Sequence, residues 1–245
     1  MKDKIEMLRK YIFECNNIVF FGGAGVSTES GIPDFRSEDG LYNQKYDYPP
    51  EEILSHTFFM NHIEDFYKFY KDKMNSLKYE PNITHIKLAE LETKGKLKAV
   101  ITQNIDGLHE MAHSKNVLNL HGTVYSNTCT KCHKKYDLKY VLESKEIPLC
   151  SCGGIIKPDV VLYEEPLDYE TLDKAINEIK LADTLIIGGT SLLVYPAASL
   201  INYFNGKHII LINKEETKSD YKADIVIHDK LGNVFKKIKD AITNL

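Results

Sequence analysis

The chain has 245 residues, with 31 basic against 35 acidic side chains, for a formal charge of −4. Hydrophobic residues make up 43% and charged residues 27%, which excludes disorder, collagen and coiled coil and allows a sizeable core. No window approaches the ~18 consecutive apolar residues of a membrane span, and the mildly acidic balance gives no general reason to bind nucleic acid or an anionic membrane.

The opening stretch, MKDKIEMLRK, returns to charge before any apolar core of a signal can form, so no secretory leader is expected. Five cysteines, an odd count, then point to a reducing cytoplasm rather than a disulfide framework. Only two arginines, Arg9 and Arg36, stand against 29 lysines. Lysine cannot reproduce the planar guanidinium fork, which draws attention to an arginine close behind a glycine-rich loop.

In chain order, Ile5, Leu8, Ile12 and Phe13 form a helical stripe over 3–15. The apolar run Ile18–Phe21 then stops at Gly22-Gly23-Ala24-Gly25, as a buried parallel strand does at a ligand loop. Runs of the same kind recur at 97–101, 117–120, 183–188, 207–212 and 224–227. Helical patterns cover 167–181, 196–204 and about 233–243. This alternation predicts an α/β fold, a Rossmann-like parallel sheet with helices on both faces.

Two stretches interrupt it. Residues 51–80 are helical and rich in Phe and Tyr; residues 127–157 are polar, Lys-rich and hold four cysteines. Both read as insertions into one domain spanning 1–245. The expected core covers about 1–36, 84–126 and 158–245. A smaller module then comprises a helical insertion, 37–83, and a zinc ribbon, 127–157.

Gly23-Ala24-Gly25 matches the first half of a dinucleotide fingerprint, but Thr28 stands where the third glycine belongs, and no strand carries the expected acidic residue about 20 positions on. Small residues here still let backbone N–H groups approach phosphate, and Ser27 and Thr28 add hydroxyls. A tight strand–helix turn without a ligand is the alternative reading of the glycines. Cys129-x-x-Cys132 and Cys150-x-Cys152 offer four thiolates across a short ribbon, enough to close a tetrahedral zinc site and leave no open catalytic position. A redox pair or buried thiols are the alternatives; Cys15 reads as a core thiol.

The motif beyond the glycines is more specific. Gly23-Ala24-Gly25-Val26-Ser27 leading into Ser30-Gly31-Ile32-Pro33-Asp34-Phe35-Arg36 resembles the signature loop of the sirtuins, NAD-dependent protein-lysine deacylases. Thr102-Gln103-Asn104-Ile105-Asp106-Gly107-Leu108-His109, His121-Gly122 and Gly189-Thr190-Ser191-Leu192 resemble three further blocks of that family, in the family's order. The resemblance covers essentially the whole chain and is to a bacterial-type, single-domain member.

The resemblance implies a reaction that consumes NAD. The oxygen of an acetylated lysine attacks the nicotinamide-bearing ribose, giving free lysine, nicotinamide and O-acetyl-ADP-ribose. It implies that His121 is the general base toward a ribose hydroxyl and that Asn104, with Gln103, holds the ribose and positions water. Ile105 and Asp106 would shape the nicotinamide pocket, Phe35 would shield the ribose carbon, and Arg36 would order the cofactor loop. Gly23, Ala24, Gly25, Thr28, Asp34, Gly189, Thr190, Ser191, Asn213 and Asp229 complete the implied NAD contacts. From the residues alone, Gln103, Asn104 and Asp106 could equally cap the next helix, and His121 could be a packing or surface histidine.

By the same resemblance an extended acyl-lysine peptide would pair with Val160, Val161 and Tyr163 on one flank and Leu193 and Val194 on the other. The family often has Phe-Gly-Glu where this chain has Tyr163-Glu164-Glu165, and the two glutamates are expected to favour basic peptides. Tyr67 and Tyr70 cover the region where carboxyl-acyl sirtuins carry a Tyr-x-x-Arg pair. Without the arginine, neutral acyl groups are expected, acetyl first. Rival readings are a protein ADP-ribosyltransferase, a deacylase for longer neutral acyl groups, and a nucleotide sensor with a zinc ribbon.

Overall fold

In the computed structural model, residues 2–34 and 47–245 are described. Strand β1 (Ile18–Gly22) takes its place because every one of its side chains is apolar or absent, and all five residues are buried. It pairs in parallel with β2 (Leu97–Thr102) on one side and β7 (Thr184–Gly188) on the other. With β3 (Val117–Asn119), β8 (His208–Asn213) and β9 (Ile225–His228) these form a six-stranded sheet in the order β3-β2-β1-β7-β8-β9. Every ladder in it is parallel.

The period of two along β1 divides the core. Ile18 and Phe20 face α1 (Lys2–Glu14), α5 (Ile83–Thr93) and α9 (Leu231–Thr243); Val19 and Phe21 face α8 (Tyr169–Leu181) and a 3-10 helix, Ala197–Tyr203. Burying each of the two phenylalanines contributes about 1.5–3 kcal/mol. Helix α9 carries Leu231, Val234, Phe235, Ile238 and Ile242 on its buried face, the spacing of an amphipathic helix. Helices thus cover both faces, as the alternation predicts. The segment 196–204, expected as an ordinary helix, winds as a 3-10 helix, with Ser199 N–H donating to the Pro196 carbonyl at 3.0 Å.

The helical stretch 51–80 holds α2 (Pro50–Ile53), α3 (His56–Asn61) and α4 (Ile63–Lys73). Ribbon strands β4 (Gly122–Cys129), β5 (Lys135–Tyr136) and β6 (Ile156–Val160) form a second, antiparallel sheet in the order β5-β4-β6. A short helix, α7 (Leu138–Glu143), which the polar sequence did not suggest, starts on the Asp137 side chain. Phe58, Phe59, Phe66, Tyr67 and Tyr70 share one apolar cluster with Val124, Cys129, Leu138, Val141, Cys150 and Ile156. The helical insertion and the ribbon therefore cover each other's apolar faces in one small module. The remaining α-helix, α6 (Leu108–Met111), follows the loop after β2. Among the described residues no helix is long and apolar enough to cross a membrane.

Candidate active site and metal centre

Sequential strands lie on opposite sides of β1: β2 to one side, β7 to the other. This reversal of strand order is where open α/β sheets hold ligands, beyond the carboxyl ends of the strands. Two loops meet there. Gly23 N–H donates to the Gly188 carbonyl at 3.3 Å, and Gly25 N–H to the Gly189 carbonyl at 2.8 Å. A Cβ on Gly25 would stand 2.8 Å from the Gly189 Cα, and Gly189 itself has φ 60°. These glycines are required by the loops' own contact, before any ligand is considered.

The polar side chains form one connected set. Ser27 Oγ donates to Asp106 Oδ2 at 2.6 Å, and Asn104 Nδ2 donates to Ser27 Oγ at 3.0 Å. Asp106 Oδ1 accepts from Leu108 N–H at 3.0 Å. Asp106 is only 8% exposed; burial pushes its carboxyl above the usual range, while the Ser27 and Leu108 bonds pull it back. Gln103 Nε2 donates to Thr190 Oγ1 at 3.1 Å, joining the loop after β2 to the loop after β7.

His121 Nδ1 lies 2.9 Å from the Gln103 carbonyl oxygen. A carbonyl can only accept, so Nδ1 carries the proton and Nε2 presents a lone pair. Burial holds the imidazole below its ordinary pKa, opposed by that carbonyl bond, so it is neutral at pH 7. The next residue, Gly122, has φ 75°, and a Cβ there would lie 2.0 Å from the Asp159 carbonyl oxygen. Only glycine lets the chain turn from His121 into β4 beside β6.

Placement of the remaining expected residues is uneven. Ala24, Thr28 and Asp34 lie on the loop after β1, with Thr28 Oγ1 donating to the Gly25 carbonyl at 3.1 Å; Phe35 and Arg36 lie outside the described residues. Ile105 touches the apolar cluster of the small module. Ser191 follows Thr190 on the loop after β7. Asn213 closes β8 and donates to the Glu215 carbonyl at 2.9 Å. Asp229 stands beyond β9 at the sheet's edge. Its carboxylate accepts from Lys230 N–H, Asn233 Nδ2 and Lys237 Nζ, which turns it toward its own helix.

On the peptide side, Val160 ends β6 and is buried, and Val161 N–H donates to the His121 carbonyl at 2.9 Å. Tyr163 is 40% exposed and Leu193 51%, with Val194 half-buried beside it. Glu164 and Glu165 both have partners within the protein. Glu164 accepts from Thr57 N–H at 2.8 Å, and Glu165 holds His56, Lys157 and Leu162 N–H. Tyr67 and Tyr70 are buried in the module, the Tyr67 hydroxyl donating to the Ile156 carbonyl.

The sulfurs of Cys129, Cys132, Cys150 and Cys152 all lie within 4.8 Å of one another. Cys129 and Cys152 are separated by 3.6 Å and Cys132 and Cys150 by 3.5 Å, close to the roughly 3.8 Å edge of a tetrahedron with zinc–sulfur bonds of about 2.3 Å. The Tyr136 hydroxyl, 3.0 Å from Cys150 Sγ, supplies a hydrogen bond from outside the set. The four thiolates fit zinc with no vacancy for substrate.

Sequence reasoning noted the Ser27 hydroxyl without placing it in the site; its position in the glycine motif was the available signal. It also missed Glu29, whose carboxylate accepts from Gly232 N–H at 2.6 Å, because the two are 203 residues apart.

The doubly wound sheet, the loops at its switch point and the four-thiolate ribbon define a dinucleotide-using α/β enzyme with a structural metal. The Sir2 family model matches residues 23–196, and the chain belongs to the Sir2 family, the sirtuins. An NAD-dependent protein deacetylase of Clostridium perfringens (strain 13 / Type A) is 60% identical over 244 residues, covering 98% of this chain and 100% of that one. Another, of Cutibacterium acnes (strain DSM 16379 / KPA171202), is 47% identical over 239 residues, covering 97% and 98%. Among solved structures, a Sir2 complex with p53 peptide and NAD+ superposes with a TM-score of 0.87 at 37% identity, covering 98% of this chain and 99% of that chain.

Proposed function

We propose that this protein is an NAD-dependent protein-lysine deacetylase, using NAD as a consumed cosubstrate and one structural zinc. The observation that carries the chemistry is the His121–Gln103 bond. It holds the proton on Nδ1 and leaves the Nε2 lone pair as the base, anchored to the backbone of the residue that precedes Asn104 of the Ser27–Asp106–Asn104 set.

The donors and acceptors at the switch point fit a dinucleotide: hydroxyls on Ser27, Thr190 and Ser191, amides on Gln103 and Asn104, and one buried carboxylate. NAD bound there supplies a ribose whose bond to nicotinamide can be displaced by the acetyl oxygen of a modified lysine. His121 Nε2 then accepts a proton from a ribose hydroxyl, a task suited to a base that is neutral at pH 7. Asp106 accepts a hydrogen bond from the nicotinamide carboxamide, and Asn104 and Gln103 hold the ribose. Gly23, Ala24, Gly25, Thr28, Asp34, Gly189, Thr190, Ser191 and Asn213 contribute the remaining contacts, with Phe35 and Arg36 on the following segment. Asp229 contributes through the start of α9 rather than by a free carboxylate.

The peptide is an acetylated protein segment, paired as an extended strand between Val160–Tyr163 and Leu193–Val194. Tyr70 stands in the sequence three residues after Tyr67, where an arginine would hold an acyl carboxylate, which supports neutral acyl groups, acetyl first. Four thiolates held reduced for zinc suit a reducing, cytoplasmic setting.

Mass spectrometry of an acetyl-lysine peptide, with and without NAD, tests the reading while nicotinamide is quantified. One nicotinamide released per lysine freed is the expected result. Nicotinamide released with the acetyl group intact would instead mean ADP-ribosyl transfer or NAD hydrolysis. No release with any acyl peptide would leave a nucleotide sensor.

A further inference from the structure

The turn Leu162–Glu165 carries a non-glycine residue in a glycine conformation: Glu164 has φ 75°. A side chain in this region is disfavoured, and it persists where the surroundings hold it. What holds Glu164 is its own carboxylate. It accepts from Thr57 N–H at 2.8 Å, one of the first N–H groups of α3, which have no partner within the helix. The neighbouring Phe58 N–H is taken by Ser55 Oγ at 3.1 Å, so Ser55 and Glu164 together satisfy the start of α3.

The same turn is stitched to that segment by its backbone. Tyr163 N–H donates to the Leu54 carbonyl at 2.9 Å, and His56 N–H to the Tyr163 carbonyl at 3.0 Å. At the other end, Val161 N–H donates to the His121 carbonyl at 2.9 Å. The segment expected to pair with peptide is thus suspended between the base and the helical insertion. Glu165 tightens the inner side through the His56 side chain, Lys157 and Leu162 N–H, and Glu164 adds a bond to a backbone N–H in the first turn of α3.

We propose that Glu164 is a positioning residue for the acyl-peptide strand: its carboxylate on Thr57 N–H holds Val160–Tyr163 in register with His121 before peptide binds. This rests on the deacetylase reading above. A pre-ordered strand spares the peptide the cost of ordering it, so the contact acts on peptide affinity rather than on chemistry. Nothing in the His121–Gln103 bond depends on it.

Three variants separate positioning from mere folding. In E164Q the carboxamide oxygen still accepts from Thr57 N–H. E164A removes the acceptor and keeps the unfavourable φ. E164G removes the acceptor but adopts φ 75° freely. With wild-type enzyme as control, the peptide KM is expected to rise about three- to tenfold in E164A and E164G, the net size of one ordinary hydrogen bond at an exposed site. It stays within twofold in E164Q, and kcat and the KM for NAD stay within twofold throughout. E164G is expected to melt above E164A while sharing its raised KM, which a purely structural role would not produce. A wild-type KM in E164G would overturn the proposal, as would a parallel change in the KM for NAD. A wild-type enzyme with no NAD-dependent deacetylation would overturn the functional reading and this proposal together. An active wild type with unmoved KM values would overturn this proposal alone.

Discussion

The Ser27 hydroxyl and the Asp106 carboxylate lie 2.6 Å apart, joining the loop after β1 to the loop after β2 at a buried point. Asp106 sits above the usual carboxylate range because burial disfavours its charge, and its contribution to stability therefore falls as pH rises through that raised value. An enzyme that needs an ionised carboxylate in this place accepts that cost. D106N is expected to melt at or above wild type at pH 7 while losing at least about tenfold in nicotinamide release, the scale for one preorganised acceptor. A stable variant with full activity would show that the carboxylate does not face nicotinamide.

His121 is held below its ordinary pKa by burial. Activity should therefore persist somewhat below pH 6.5, the unperturbed histidine value, before falling as Nε2 becomes protonated. A pH profile of kcat/KM, which reports the free enzyme, measures the limb directly. H121A should remove nicotinamide-coupled deacetylation while leaving the melting temperature near wild type. An acid limb unchanged in a slow H121A enzyme would assign it to another group.

His85 and His109 pack edge to face at 4.7 Å, both buried, with His85 lowered to about 4 by desolvation and His109 also held well below the ordinary value by burial. A depressed histidine leaves stability intact above its unfolded value of about 6.5 and withdraws it as pH falls. For His85 this amounts to roughly 2 kcal/mol lost by pH 5, taking the lowered value of about 4. H85Q retains an acceptor for Asn82 N–H and does not titrate, so urea midpoints at pH 7 and pH 5 should lie closer together in H85Q than in wild type. Equal spacing would rule His85 out as the source.

Glu29 and Gly232 form a joint from the cofactor loop to the last helix. Lys230 provides no side-chain cap for α9, and the Glu29 carboxylate takes that role through Gly232 N–H at 2.6 Å. A Cβ on Gly232 would meet Glu29 Oε1 at 2.6 Å. E29A should cost about 1 kcal/mol of stability, as lost caps do. G232A should destabilise wild type yet stabilise the E29A background by about 0.5–1 kcal/mol, since alanine is the better helix former. Additive effects in that double-mutant cycle would refute the joint.

Zinc removal should act on the small module and spare the sheet. Cys129 and Cys150 belong to the same buried cluster as Phe66 and Tyr70, so stripping the metal with a chelator should loosen the helical insertion along with the ribbon. Hydrogen exchange should then quicken in β4–β6 and α4, while β1 and β7 stay protected. Uniform loss of protection would mean that the two sheets unfold as one unit.

Much was determined by the sequence alone. Runs such as Ile18–Phe21 and Leu185–Ile187 are apolar on both faces, which only a sheet covered on both sides can bury, and the parallel order follows from the helices between them. The cysteine spacing likewise marked two close pairs, each local to its own turn, and the pairing of β4 with β6 brings the two together. These signals are local. The tertiary structure decided what met across distance: Ser27 with Asp106, Gln103 with Thr190, Glu29 with Gly232, and the turning of Asp229 toward its own helix. It also showed Glu164 adopting a glycine's backbone and using its carboxylate to hold it. Periodicity and propensity report how a segment buries its own faces; which side chain satisfies a distant donor depends on where the completed sheet brings its loops together.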